Sequence, residues 1–355
     1  MRIFVTHICP KDKIIEYGIS LSASNFNHNL IEGGCFDKVY SIYPGFTKGK
    51  LEELDDETFE TIYSSWRWKG GIRQRLARFI EQYKLFRRIP RHSKVWYYNL
   101  TTLNILLIIL LWIFKPSVQQ NIIILDFTPD LPFNKRVLPL INRLHGRISL
   151  SAYKKFNQQN LVCMPGVVPA QNNLRPQIAT VKREFLLSGA LKENIAMHSM
   201  VLDAFAEMPE LTLHISGVLI DHKEKTESYS RKYPNIHYHG KMPYDEFNAL
   251  LSAVPFSLNT RKPSAPENLC NFPSKVIEAL LYNRIVISTI HYPQLDGISY
   301  FEVSAEKELF KQQILQIAAM DDAELLRYAN QGQNAIKRYS TERWNEVMTQ
   351  IEKLK

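Results

Sequence analysis

One segment in the last third of the chain, residues 257–289, constrains the fold more than any other. It begins as a strand, continues through a loop that carries Arg261 and Lys262, and reaches residues 273–275 (Pro-Ser-Lys), where a helix is predicted to begin. A second buried strand follows at residues 285–289. Such a strand–loop–helix–strand unit belongs to a parallel sheet, where free N–H groups at a helix start bind phosphate at the carboxyl edge.

The start of this helix collects groups that suit a nucleoside diphosphate. Ser274 is expected to cap the helix, and Lys275 adds a positive charge beside it. The backbone N–H groups of Ser274, Lys275 and Val276 are the predicted donors to the diphosphate. Arg261 adds a planar guanidinium that binds two oxygens at once. Glu278 lies one turn further along, within reach of a ribose.

These residues also resemble a known family. The strings that begin at Asn259 (Asn-Thr-Arg), Phe272 (Phe-Pro-Ser-Lys), Glu278 and Val286 (Val-Ile-Ser-Thr) are similar to the donor-site signature of GT-B glycosyltransferases of the family 4 type. Many of these bacterial enzymes build capsule, O-antigen or exopolysaccharide. The resemblance implies an α/β fold of two Rossmann-like, doubly wound domains facing a cleft. It also implies sugar transfer from a nucleotide-diphosphate donor with retention at the anomeric carbon and no cofactor.

The resemblance implies roles for residues on the donor side. Glu278 would bond the ribose hydroxyls; family members often have another Glu seven residues earlier, where this chain has Asn271. After the first glycine of the second domain, Gly189, the family often has an Arg and a Lys. Here the Arg position is Ala190, and Lys192 is out of register. The predicted donor-binding residues are Glu278, Ser274, Lys275, Val276, Arg261, Asn259, Gly189, Lys192, Gly240 and Met242.

The nucleobase is expected to lie against residues 239–243 (His-Gly-Lys-Met-Pro), a turn after a strand that would bond the base through the backbone of Gly240 and Met242. A turn with Gly and Pro also needs no functional reason. No Asp-x-Asp motif stands at the end of a predicted strand, since Asp55 and Asp56 belong to an acidic surface run. We therefore expect an enzyme that needs no metal.

The acceptor side gives a weaker signal. Asp126 follows a strongly apolar strand, and His7 ends the first strand near a polar stretch, expected to be a loop, that contains Ser24 and Asn25. Side chains at the carboxyl edge of a parallel sheet face the ligand crevice. Asp126 and His7 are therefore candidate bases or positioning groups for an acceptor hydroxyl, with Arg261 as the third catalytic candidate. A purely structural hydrogen-bonding role is equally open to Asp126 and His7.

The alternation of short β-rich runs with helical stretches predicts two domains and a final helix. Residues 1–165 are expected to form an acceptor domain and residues 166–338 a nucleotide-sugar donor domain. The last segment, residues 339–355, is predicted to be a helix with Ser340 or Thr341 as its cap. From the resemblance, this helix should cross back onto the first domain.

The formal charge of +9 predicts an anionic partner. Residues 66–94 contain ten Lys or Arg and one acidic residue, with apolar side chains at helical spacing. This stretch could be a core-packed helix with a solvated basic face, a helix that docks on an anionic membrane, or a nucleic-acid surface. No RNA- or DNA-binding motif is present, so nucleic acid is not an expected partner.

Three further features bear on location. The apolar stretch 103–114 is too short for a bilayer crossing, which needs about 20 residues, and is expected to be a buried helix, with a membrane-surface helix as the alternative. Residues 1–10 fit a first buried strand better than a signal peptide. The four scattered cysteines indicate neither a zinc site nor a disulfide framework. The expected location is cytoplasmic, peripheral on the inner membrane face.

The sequence therefore predicts a glycosyltransferase that moves a sugar from a nucleotide sugar to a lipid-linked glycan acceptor in surface polysaccharide synthesis. A sugar-nucleotide 2-epimerase of the same architecture is an alternative within enzymes. A non-catalytic membrane- or nucleic-acid-binding module with a degenerate nucleotide cleft is an alternative from another class. The presence of Ser274 and Glu278 argues against a degenerate cleft, whereas Ala190 and Asn271, at positions where the family often has Arg and Glu, argue for one.

Overall fold

The computed structural model describes residues 1–8, 21–42, 58–62, 71–125, 127–151, 153–169 and 175–354. The chain divides into two compact units. The N-terminal unit contains residues 1–171 and 339–355, and the C-terminal unit contains residues 172–338. Each unit is a parallel sheet covered by helices.

Among the described residues the N-terminal unit has a parallel sheet of seven strands in the order β3-β2-β1-β4-β5-β6-β7. The strands are β1 Arg2–Thr6, β2 Lys38–Ile42, β3 Phe59–Ile62, β4 Lys94–Tyr98, β5 Gln119–Ile124, β6 Gly146–Ser149 and β7 Leu161–Cys163. Most of their side chains are buried on both faces, as expected for a sheet covered by helices on each side. Its helices are α1 Leu21–Glu32, α2 Gly71–Arg88, α3 Ile105–Phe114, α4 Pro132–Arg143 and, from the end of the chain, α14 Thr341–Lys353.

Helix α14 is anchored in the N-terminal unit by buried polar contacts. The Glu352 carboxylate accepts hydrogen bonds from Arg2 Nε (2.5 Å) and Trp96 Nε1 (2.8 Å). Trp344 is fully buried, and its Nε1 donates to the carbonyl of Gly166 at 2.8 Å. Ser340 caps the helix, because its hydroxyl accepts from the Arg343 N–H. The last helix therefore belongs to the first unit although its sequence follows the second.

The C-terminal unit has, among its described residues, a parallel sheet of six strands in the order β10-β9-β8-β11-β12-β13. The strands are β8 Glu184–Leu191, β9 Thr212–Leu219, β10 Ile236–Gly240, β11 Phe256–Asn259, β12 Ile285–Ser288 and β13 Phe301–Glu302. The helices are α5 Glu193–Ala196, α6 His198–Phe205, α7 Lys223–Lys232, α8 Tyr244–Ala253, α9 Pro266–Cys270, α10 Ser274–Leu281, α11 Lys307–Ala319, α12 Asp322–Leu326 and α13 Gly332–Tyr339. The chain leaves β8 toward β9 and later returns to its other side at β11, so the strand order reverses there. Ligand crevices form at such reversals.

Three local expectations need correction. The polar stretch with Ser24 and Asn25 lies in helix α1, not in a loop. Helix α3 is only partly buried: Leu107 is inaccessible, whereas the side chain of Ile113 is 63% exposed. The apolar side chains of α2 do not all reach a core, because Ile72 is 83% exposed. Within the described parts of the chain, no helix has both the length and the apolar character that a membrane crossing requires.

Candidate functional site

The candidate donor site lies at the carboxyl ends of β8, β11 and β12 and at the start of α10. Lys275, in the first turn of α10, points its ammonium toward the sheet, where Nζ donates to the carbonyls of Ser188 and Leu258, both at 3.2 Å. Burial, and to a smaller extent the charge of Arg261, lowers the pKa of this ammonium to about 7. Among the described residues, the ammonium is therefore held by carbonyl dipoles alone, which compensate a buried charge incompletely.

Arg261 lies just after β11. Its backbone is clamped by the hydroxyl of Thr289, which accepts from the Arg261 N–H at 2.6 Å and donates to the Arg261 carbonyl at 2.7 Å. The guanidinium makes a long contact from Nη1 to Asn268 Oδ1 at 3.5 Å, and its buried Nε has no hydrogen-bond partner among the described residues. Burial lowers the pKa of this guanidinium. Arg261 is thus fixed at its backbone and under-satisfied at its charged end.

Asn259, the last residue of β11, contacts β12 and the loop that follows it. Its Nδ2 donates to the hydroxyl of Tyr292 at 2.9 Å and to Ser288 Oγ at 3.1 Å. Its buried Oδ1 finds no partner among the described residues. Asn259 is therefore a second polar group at this edge with unused hydrogen-bonding capacity. The contact with Tyr292 and the clamp by Thr289 were not predicted from the sequence, because only folding brings the loop after β12 beside β11.

Glu278 lies on α10, one turn beyond Lys275. Burial raises the pKa of its carboxyl group. The expectation that Ser274 is the N-cap residue is wrong: the helix begins at Ser274, and Pro273 is the N-cap residue. The Val276 N–H already donates to the Pro273 carbonyl at 3.0 Å, so it is not available to a phosphate in this structure.

At the end of β8 the backbone has a positive φ angle and lies close to the backbone of β9. Gly189 has φ +115° and Gly217, its register partner on β9, has φ +132°. A Cβ on Gly217 would lie 2.0 Å from the Gly189 carbonyl oxygen, so both positions favour glycine. Lys192 follows β8, and its side chain is exposed. Among the described contacts, none joins it to Arg261 or Lys275.

The turn predicted for the nucleobase follows β10. Gly240 ends that strand with φ +68°, and open space surrounds the position where a Cβ would lie. Met242 is partly buried, and α8 begins two residues later at Tyr244. His239 Nε2 lies 3.0 Å from His214 Nδ1 on the neighbouring strand. The backbone of Gly240 and Met242 therefore lies at the carboxyl edge of the sheet.

The acceptor candidates lie in the N-terminal unit. His7 follows β1, and both of its ring nitrogens are engaged: Nδ1 lies 3.1 Å from the Ile42 carbonyl and Nε2 lies 3.2 Å from Thr101 Oγ1. Burial lowers the pKa of His7 to about 4, so the ring is neutral near pH 7. Ser24 is fully buried on α1, so it cannot reach an acceptor from its present position, whereas Asn25 is exposed. Asp126 lies outside the described residues.

No group of three His, Cys, Asp or Glu residues in the described parts of the chain is arranged to hold a metal ion. No protein-family model and no curated protein sequence matches the chain. Solved structures match it over its whole length. HepE from Anabaena, in complex with UDP, has a TM-score of 0.66 at 13% identity, with 98% of each chain covered.

Two other solved structures are similar to the same extent. A glycosyltransferase from Rickettsia africae has a TM-score of 0.65 at 14% identity and covers 100% of this chain and 99% of its own. The lipopolysaccharide outer core galactosyltransferase WaaB, in its apo form, has a TM-score of 0.64 at 14% identity, with 99% of each chain covered. The chain therefore has the fold of the GT-B glycosyltransferases, and the predicted fold class is confirmed.

Proposed function

We propose that this protein is a glycosyltransferase whose C-terminal unit binds a nucleoside-diphosphate sugar. One observation carries the proposal: two desolvated cations, Arg261 and Lys275, lie at the same sheet edge, and no carboxylate pairs with either among the described residues. Buried charges normally have a partner of opposite sign. A diphosphate supplies that charge, and Arg binds its oxygens in pairs.

The neighbouring groups fit the rest of a nucleotide sugar. In this proposal Glu278 bonds the ribose hydroxyls, and the backbone at Gly240 and Met242 bonds the base. HepE from Anabaena has been solved with UDP and with UDP-glucose, which supports a sugar nucleotide as the donor class. In the reaction, Arg261 and Lys275 would stabilise the charge that develops on the departing diphosphate. Retention at the anomeric carbon is part of the proposal and rests on the sequence resemblance.

The acceptor is proposed to be a lipid-linked glycan of a surface polysaccharide, reached from the inner membrane face. The support comes from helices α2 and α3. Leu76, Phe79 and Tyr83 on α2 are each more than half exposed, as are Ile113 and Phe114 on α3. Cationic side chains flank this apolar strip, among them the exposed Arg75, Lys84 and Arg87. Apolar side chains of this kind bury themselves in the surface of a bilayer. Each basic residue near anionic lipid adds about 1 kcal/mol to the binding free energy.

Thermal unfolding with a panel of nucleotide sugars and nucleoside diphosphates tests the donor proposal. A ligand at about 100 times its dissociation constant stabilises the folded protein by about 2.7 kcal/mol. We expect at least one nucleotide sugar to raise the melting temperature of the wild type and to do so far less in Arg261→Ala. Product analysis with that donor then separates transfer from epimerisation of the donor. If no member of the panel stabilises the wild type, the donor proposal fails.

Sedimentation with anionic vesicles tests the membrane proposal. Phe79→Ser combined with Arg75→Gln, Lys84→Gln and Arg87→Gln should release the protein from the vesicles. The matched control changes Lys223, Arg231 and Lys232 on α7 to Gln, which removes as many charges from the C-terminal unit. Equal release by both variants would indicate unspecific attraction, and failure of the wild type to sediment at low salt would exclude the membrane from the proposal.

A further inference from the structure

A cavity lies in the C-terminal unit beside the edge strand β13. Its volume is about 500 Å³. Two segments line it: residues 291–302, which follow β12, and residues 320–328, which follow α11. Arg261, Lys275 and Glu278 are not among the described residues that line it. The cavity is therefore separate from the candidate donor site, and its size is in the range of small-molecule sites.

The charge of the cavity opposes a second phosphate site. Three residues with carboxylic side chains line the cavity, Asp296, Glu302 and Glu324, together with one that carries a guanidinium, Arg327. An anion would meet more like than opposite charge at this wall. The donor site has the reverse arrangement, because its two cations have no paired carboxylate among the described residues. Since carboxylates accept and guanidinium donates hydrogen bonds, the cavity suits a ligand rich in hydroxyl groups and not an anion.

A fixed hydrogen-bonding relay forms one wall. The Tyr300 hydroxyl accepts from the Tyr292 N–H at 2.9 Å and donates to Glu302 Oε1 at 3.0 Å. The ring nitrogen His291 Nδ1 lies 2.6 Å from the same Oε1. Among the described residues no group donates to the other oxygen, Oε2, so the carboxylate is oriented and still has an acceptor for a ligand hydroxyl.

Aromatic side chains supply the apolar part of the wall. Tyr292, Tyr300 and Tyr328 all line the cavity. Tyr328 is held by stacking on Phe301, with ring centroids 3.8 Å apart. Sugar rings present an apolar C–H face and a rim of hydroxyls, and this wall offers aromatic surface next to oriented hydrogen-bonding groups. We propose that the cavity is a binding site for a neutral oligosaccharide.

This inference goes beyond the proposed transferase function, because saccharide binding here would persist if the chain transferred no sugar. The two sites nevertheless share one residue. Tyr292 lines the cavity, and its hydroxyl accepts a hydrogen bond from Asn259 in the candidate donor site. If the transferase proposal holds, the cavity would retain part of a glycan on the same unit that binds the donor.

The test is binding of the full-length chain to an array of neutral oligosaccharides, followed by titration calorimetry with the best array member. We expect saturable binding. Glu302→Gln and Tyr300→Phe should each weaken it by about tenfold, because each removes part of the relay while keeping side-chain size. Glu210→Gln, at an exposed carboxylate outside the cavity, is the matched control and should leave binding unchanged.

Glu278→Gln separates this proposal from the transferase proposal. It should weaken nucleotide binding and leave oligosaccharide binding unchanged. The saccharide proposal is overturned if no neutral oligosaccharide binds, or if binding is lost in Glu278→Gln but kept in both cavity variants. Thermal unfolding checks that the variants fold. Should Glu302→Gln not fold, Arg327→Gln at an exposed position of the same wall replaces it, with the same expected loss.

Discussion

Charged side chains are buried at the sheet edge of the C-terminal unit, whereas large apolar side chains are exposed on two helices of the N-terminal unit. Lys275 and Arg261 are desolvated, and among the described residues neither is paired with a carboxylate. Ile72 and Phe79 on α2 keep contact with water although a core would stabilise them by about 1.5–3 kcal/mol each. Folding alone favours neither arrangement. The proposed ligands would account for both arrangements: a diphosphate for the buried cations, and an anionic membrane surface for the exposed apolar side chains.

The largest effect is expected at Arg261. Arg261→Ala should weaken binding of a nucleoside diphosphate by ten- to a hundredfold, since a charged hydrogen bond contributes about 1.5–3 kcal/mol and Thr289 holds the backbone of Arg261 in place. Titration calorimetry measures it. The neighbouring exposed cation gives the control: Lys262→Ala should change the affinity by less than about twofold. Equal losses in both variants would mean that general charge, and not the buried guanidinium, attracts the nucleotide.

Glu278 should show a smaller and more selective effect. Glu278→Gln is expected to weaken a nucleoside diphosphate by about tenfold, because the ribose loses a charged acceptor. Inorganic pyrophosphate, which has no ribose, should bind wild type and variant alike. Competition against a fluorescent nucleotide compares the two ligands. A parallel loss for pyrophosphate would contradict the ribose role and place Glu278 near the phosphates.

Because Lys275 is buried, nucleotide binding is expected to take up less than one proton. With its pKa lowered to about 7, Lys275 is mostly neutral at about pH 8 in the free protein. A bound diphosphate favours the charged form and raises this pKa, so binding should take up a fraction of a proton at about pH 8 and less at about pH 6. Affinity should accordingly fall as pH rises above about 7.

Calorimetry in buffers with different ionisation enthalpies measures this uptake. Lys275→Met keeps the side-chain size and should abolish the part of the uptake that is due to the lysine. Uptake that survives in Lys275→Met would assign the proton to the nucleotide or to another group. It would also remove the reason to treat the burial of Lys275 as part of donor binding.

The smallest effect is expected for the exposed strip of the N-terminal unit. Phe79→Ser should change the free energy of unfolding by less than about 0.5 kcal/mol, since the side chain is half exposed. Leu85→Ala on the same helix should cost about 2–5 kcal/mol, because Leu85 is inaccessible to solvent. Denaturant unfolding compares the two. A loss at Phe79 that approached the loss at Leu85 would show that Phe79 packs in a core.

Much of the fold was predictable because its signals are local. The two strands that flank α10 lie within one residue of their predictions, a strand that begins at residue 257 and a strand at residues 285–289: β11 begins at Phe256 and β12 is Ile285–Ser288. Each is a short run of β-forming residues. The start of α10 at Ser274 followed from the Pro-Ser-Lys string. By contrast, α2 was correctly read as amphipathic, but its periodicity could not tell which side faces solvent. Helical spacing gives an apolar face and does not specify what covers it.

The sequence by itself determined which residues stand at strand ends and helix starts, and so it nominated Arg261, Lys275 and Glu278. Only the tertiary structure decided how these groups are held. The clamp by Thr289 and the bond from Asn259 to Tyr292 join residues about 30 positions apart, and parallel register sets such pairings without a local signal. Burial is likewise a property of the packed unit, and burial is the main reason that the pKa of Lys275 lies near 7.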